Sequence, residues 1–222
     1  MEFEELFPIW NQLTEEEQTI LKQNVVKKTY EKGALVHNGD ANCLGLLLVE
    51  SGCLRTFIIS EEGKEVTLYR LFERDICLFS AACSMNNIDF DVTVEAQLDT
   101  TLWVIPTRVY KKLMEHSLAM SNYTNQIMAA NFSDVMWLLN QILYKSFDAR
   151  LSAFLIESSE LENSNYILMT HDQIARNLGT AREVVTRMLK YFQREKAIEL
   201  SRGSIHILDR DKLLEWAKGS LR

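Results

Sequence analysis

The stretch Thr170-His171-Asp172-Gln173-Ile174-Ala175-Arg176-Asn177-Leu178-Gly179-Thr180-Ala181-Arg182-Glu183-Val184-Val185-Thr186-Arg187-Met188-Leu189-Lys190 decides how this sequence is read. Thr170-x-x-Gln173 has the form of a capping box that opens one helix, and Thr180-x-x-Glu183 has the form of one that opens the next. Gly179 between them permits a tight turn where a side chain would clash. Ala175, Gly179 and Val185 have helix-turn-helix spacing: a small residue where the helices touch, a glycine in the turn and a β-branched core residue after it. The polar face of the second helix presents Arg182, Glu183, Thr186, Arg187 and Lys190. Its first turns are the part that such a motif points at base edges. Arginine can donate two bonds to guanine, and glutamate can accept from the cytosine amino group. Each residue also has a purely structural reading, Glu183 as a cap and Arg187 as its i,i+4 ion-pair partner.

Downstream, two apolar segments at 197–200 and 205–208 flank the turn Ser201-Arg202-Gly203-Ser204, which predicts a hairpin wing with Arg202 at its tip, free to meet phosphate. Thr170, at the start of the first helix, completes the candidate DNA-contact set. Charge supports this placement. Residues 166–222 hold eleven Lys/Arg against seven Asp/Glu, whereas residues 1–165 hold thirteen against twenty-four. A net charge of -7 argues against nucleic acid only if this asymmetry is averaged away. The basic end would attract a polyanion, and the acidic body would repel non-specific contact with it.

Upstream the texture changes. Thr14-x-x-Glu17 is a capping box opening a short helix through Ile20 and Leu21. Between Val25 and Ile105, turn residues recur about every 10 positions, the spacing of an antiparallel sandwich or barrel. Strands are expected at 34–37, 44–49, 53–59, 66–71, 91–96 and 101–105. Helices follow at 108–116, 118–145 and 149–158. The long helix has one apolar stripe at Met120, Tyr123, Ile127, Ala130 and Trp137, and a second at Met128, Val135, Leu138, Leu139 and Ile142. Two apolar faces imply two packing partners, the β domain and a second copy of the helix, unless the helix is simply a core element of one chain. The fold class is therefore α+β. Residues 1–117 would form a jelly-roll-like antiparallel β-roll, 118–145 a dimerisation helix and 146–222 a winged helix-turn-helix.

Gly179-Thr180-Ala181-Arg182-Glu183-Val184-Val185-Thr186-Arg187 resembles the recognition-helix signature of the Crp/Fnr family of bacterial transcription regulators. Lys32-Gly33, Gly39-Asp40 and Ser51-Gly52-Cys53-Leu54-Arg55 resemble the β-roll of its cyclic-nucleotide-binding-like domain. The resemblance covers nearly the whole chain. It implies a homodimer on double-stranded DNA with a two-fold-symmetric operator, allosterically controlled by a small effector in the β-roll, with RNA polymerase as a candidate second partner. Cyclic-nucleotide binders carry a Gly-Glu pair for the ribose and an arginine for the phosphate. Alignment with that pattern places Leu78-Phe79 and Phe90 there instead. Burying a phosphate without a cation is costly, so cyclic AMP is not the expected effector. The expected effector pocket comprises Arg70, Cys77, Phe79, Cys83 and Phe90, with Arg70 meeting a carboxylate on a smaller or more apolar ligand.

Other classes find less support. The chain has 222 residues, 47% hydrophobic and 25% charged, a globular composition. No apolar run approaches the roughly 20 residues needed to span a bilayer, and the acidic start Met1-Glu2-Phe3-Glu4-Glu5 is unlike a signal peptide, so a cytoplasmic location with reduced thiols is expected. Cys43, Cys53, Cys77 and Cys83 lack the close pairs of cluster motifs; Cys77 and Cys83, six apart, are the candidate redox pair. On that alternative the chain is a redox- or ligand-sensing module whose winged helix binds protein. His37, His116, His171 and His206 show no metal-ligand spacing, and no metal or other required cofactor is expected. No phosphate loop, nucleophile elbow or zinc-protease motif is present, so no enzyme is expected.

Overall fold

The computed structural model describes residues 1–38, 44–78 and 92–221. The chain divides into two compact units, Met1–Glu62 with Leu68–Val135, and Gly63–Thr67 with Met136–Arg222.

The first unit begins with two short helices, α1 (Phe3–Leu6) and α2 (Glu15–Asn24). The α2 cap is the expected reciprocal box: the Glu17 amide donates to Thr14 Oγ1, and the Thr14 amide donates to Glu17 Oε2. Among the described residues eight strands follow: β1 (Val26–Tyr30), β2 (Leu35–Asn38), β3 (Gly45–Ser51), β4 (Leu54–Ile59), β5 (Glu65–Leu71), β6 (Ile76–Cys77), β7 (Thr93–Ala96) and β8 (Thr100–Pro106). They form two antiparallel four-stranded sheets, ordered β1-β8-β3-β6 and β2-β7-β4-β5. Alternation along β3 explains the layering. Leu47 and Val49 join Val36, Leu54, Tyr69, Leu71, Val94, Leu102 and Val104 in a core shared by the two sheets. Leu46 and Leu48 face the other way, into a helical layer built from Phe3, Leu6, Leu21, Tyr110, Leu113 and Met120. Burying each such leucine contributes about 1.5–3 kcal/mol. Gly45 (φ 119°) is required by close approach, since a Cβ there would lie 2.0 Å from the Ile105 carbonyl oxygen.

Helix α3 (Thr107–His116) leads into α4 (Leu118–Tyr144). The inward face of α4 is more polar than the expected stripe: Met120 is buried, but so are Thr124, Asn131 and Gln141. Thr124 is satisfied there, with Oγ1 2.9 Å from the Tyr110 hydroxyl and donating to the Met120 carbonyl. Ala130, expected on the apolar face, is exposed. The second stripe is exposed at Met128, Leu139 and Ile142, and it continues through Phe132, Met136 and Leu143.

The second unit contains α5 (Phe147–Leu161), β9 (Tyr166–Ile167), α6 (His171–Leu178), α7 (Arg182–Arg194), β10 (Ile198–Ser201), β11 (Ser204–Ile207) and α8 (Arg210–Trp216). The three strands form a small sheet ordered β10-β11-β9. Its core gathers Leu151, Phe154, Leu155, Ile174, Val185, Leu189, Phe192, Ile198, Ile205 and Leu213, all buried. The architecture is α+β: antiparallel sheets, one long helix and a helix-turn-helix followed by a hairpin wing. The edge strand β1 and the short elements β6, β9, α1 and α8 have no counterpart in the sequence reading.

Candidate nucleic-acid interface

Thr170 caps α6 as its spacing predicts. Its hydroxyl accepts from the Gln173 amide at 3.2 Å, and its own amide donates to Gln173 Oε1 at 2.7 Å. The helix ends at Gly179 in the left-handed conformation (φ 62°), and the Thr180 amide reaches back to the Ala175 carbonyl at 3.0 Å. That bond corrects one expectation. Thr180 belongs to the turn closing α6, so α7 starts at Arg182 with Ala181 as its N-cap and no side-chain cap. Glu183 therefore stands in the first turn, exposed, rather than closing a capping box.

Val185, Leu189 and Phe192 bury one face of α7. The opposite face opens a groove lined by Arg182, Glu183, Thr186, Arg187, Lys190, Gln193 and Arg194, four cations against one carboxylate. Arg187 and Lys190 are exposed and form no ion pair among the described residues, so the i,i+4 pairing with Glu183 is not made. Arg182 meets Asp172 at 3.3 Å, with both side chains more than half exposed. Such a pair is worth about 0–1 kcal/mol, too little to hold the arginine from a stronger anion. Arg202 is exposed in the turn between β10 and β11, at the wing tip. Sequence reasoning missed His171, whose Nδ1 lies 2.8 Å from Thr186 Oγ1. The two residues are fifteen apart, and no local spacing signals the contact. The outer face of the wing carries a cross-strand row of Glu199, His206 and Tyr166, with the Tyr166 and His206 rings stacked at 4.0 Å.

In the β-roll, Arg70 is half-buried, and its Nε donates to Gln97 Oε1 at 2.7 Å. Alternation on β5 turns Tyr69 and Leu71 into the sandwich core with Cys77, and Arg70 to the other face. Cys77 is fully buried. Burial also pushes the Cys53 thiol up to about 11, with Arg70 opposing that shift. Phe79, Cys83 and Phe90 lie outside the described residues, as do Cys43 and the Gly39-Asp40 turn. Among the described residues, no cluster of three His, Cys, Asp or Glu side chains could hold a metal, and no helix is long and apolar enough to cross a membrane.

Comparison with known proteins places this geometry. The model of the Crp-like helix-turn-helix domain matches residues 149–216, and that of the cyclic nucleotide-binding domain matches residues 27–117. A crystal structure of a Crp/Fnr-family transcriptional regulator from Eubacterium rectale is 49% identical over 97% of this chain and 100% of its own, with a TM-score of 0.95. This chain belongs to the Crp/Fnr family. Among curated relatives, the transcriptional activator Anr of Pseudomonas protegens is 27% identical, over 78% of this chain and 72% of its own. The transcriptional regulator flp of Lacticaseibacillus casei is 25% identical over 95% of both. As a Crp/Fnr protein, the chain is a transcriptional regulator with a helix-turn-helix DNA-binding domain and a cyclic-nucleotide-binding-like domain. The groove on α7 lies within the matched DNA-binding segment.

Proposed function

We propose that the chain is a homodimeric regulator that reads a two-fold-symmetric duplex through α7 and is allosterically controlled by a small effector other than cyclic AMP in the β-roll. The observation that carries the DNA reading is the groove on α7, whose Arg187 and Lys190 have no protein partner among the described residues. Cations held exposed and unpaired beside a carboxylate suit base edges and phosphates better than they suit the fold. Arg182, Glu183, Thr186 and Arg187 read bases; Lys190, Arg202 and Thr170 meet phosphates. Residues 1–117, 118–145 and 146–222 serve as sensor, dimer helix and reading head. Arg70, which donates to Gln97, is the proposed partner of an effector carboxylate.

The test is a fluorescent-duplex titration over a salt series. Affinity should fall steeply as salt rises, because each phosphate contact releases condensed counterions. A salt-independent affinity would instead favour a winged helix that binds protein.

Dimerisation rests on the exposed stripe of α4. Met128, Phe132, Met136, Leu139 and Leu143 recur at three and four residues, each at least 40% exposed. A contiguous apolar patch of this kind on a monomer marks an interaction site. Phe132→Asp or Leu139→Asp should lower both the sedimenting mass and operator affinity, since each half-site needs its own reading head. Wild-type protein sedimenting as a monomer would overturn the dimer.

A further inference from the structure

Thr186 stands one turn into α7, on the wall of the basic groove. A helical threonine commonly turns its hydroxyl back onto the carbonyl four residues earlier. Here Oγ1 lies 2.8 Å from Nδ1 of His171, the first residue of α6, and that contact is its only hydrogen bond among the described residues. The imidazole is half-buried between the two helices. The charged groups facing it are Arg182 and Lys190 from α7 and Asp172 from α6. Burial, Arg182 and Lys190 hold the imidazole below its ordinary value, and Asp172 opposes them. The positive end of α6 also disfavours a cation at its first residue.

A hydroxyl has one proton and two lone pairs. When the imidazole is neutral with its proton on Nε2, the Thr186 hydroxyl donates to Nδ1 and turns only lone pairs to the groove. Those suit the amino groups of adenine or cytosine. When the imidazole is charged, Nδ1 becomes a donor. The hydroxyl then accepts from it and turns its own proton outward, toward the acceptors of guanine or thymine. We propose that His171 is a positioning residue for base choice, setting by its own protonation whether Thr186 offers the major groove an oxygen lone pair or a hydrogen. The proposal rests on the reading of α7 as the base-reading helix.

The experiment uses the full chain. Duplexes are selected from a randomised pool, and the four base pairs are then compared at each position of the selected half-site across about pH 5 to 8. The position read by Thr186 is the one where Thr186→Val loses discrimination. There, adenine or cytosine should be preferred at high pH, with a several-fold shift toward guanine or thymine at low pH. The other positions serve as internal reference. His171→Gln should flatten the pH response at that position. A wild-type preference there that does not change with pH, or a shift that persists in His171→Gln, overturns the proposal while leaving α7 as the reading helix. If Arg187→Ala and Thr186→Val both select the same duplexes as wild type, the reading of α7 itself fails, and this proposal fails with it.

Discussion

Arginines of the β-roll and arginines of α7 and the wing stand in contrasting settings. In the β-roll, Arg55 is 5% exposed, lies 4.1 Å over the Phe57 ring and pairs at 3.7 Å with Glu95, its register partner across β4 and β7. Arg70 is likewise committed, donating to Gln97. On α7 and the wing, Arg187, Lys190 and Arg202 stand exposed, without an ion pair among the described residues. A buried cation must be matched inside the protein, because desolvating it costs several kcal/mol. An exposed cation need not be, and it stays available to an outside anion. Arg55 and Arg70 thus have partners within the fold, whereas Arg187, Lys190 and Arg202 present their charges to solvent.

The largest effect should come from breaking the internal pairing. Arg55→Ala removes one partner of a buried pair and should destabilise the protein by about 3 kcal/mol, the low end of the usual range because Glu95 keeps some contact with water. Chemical denaturation measures this, and an unchanged midpoint would mean that the pair contributes nothing. Next, Arg187→Ala should leave unfolding unaltered but cost roughly 1–3 kcal/mol in operator binding and relax choice at one base position. Operator binding equal to wild type would place Arg187 with the structural arginines. A smaller change is expected for Arg202→Ala, which should weaken all sequences alike and reduce the slope of log affinity against log salt by about 1. Cyclic AMP should have no effect at all. A micromolar site saturated a hundredfold would add about 2.7 kcal/mol and raise the thermal midpoint by several degrees. A rise of that size, abolished by Arg70→Ala, would show that Arg70 is free to act as a phosphate ligand.

Much of the reading head was legible because its signals are local. Thr170 with Gln173, and Gly179 in the turn, act within one helical turn and appear in the structure as their spacing indicates. The start of α7 was misplaced for an equally local reason: the Thr180 amide is taken by the preceding turn. β1 escaped notice because Val26-Lys27-Lys28-Thr29-Tyr30 shows no alternation; it is held by backbone pairing to β8. The dual character of α4 was visible, but its polar inward face was not, since only the fold shows that Thr124 meets Tyr110. His171 belongs to the same class, a contact between helices that no periodicity encodes. The sequence placed Phe79 and Phe90 opposite the effector, and those positions fall outside the described residues.

β1 also closes one edge of its sheet, with Lys27 and Lys28 exposed along it. Lys27 is tied down there, its ammonium 2.7 Å from a Glu50 carboxylate oxygen and 5.3 Å from the centre of the Trp103 ring. A strand from another molecule adding to that edge would have to desolvate the Lys27–Glu50 ion pair. That rim of the sheet thereby acts as a guard against strand-to-strand growth at β1.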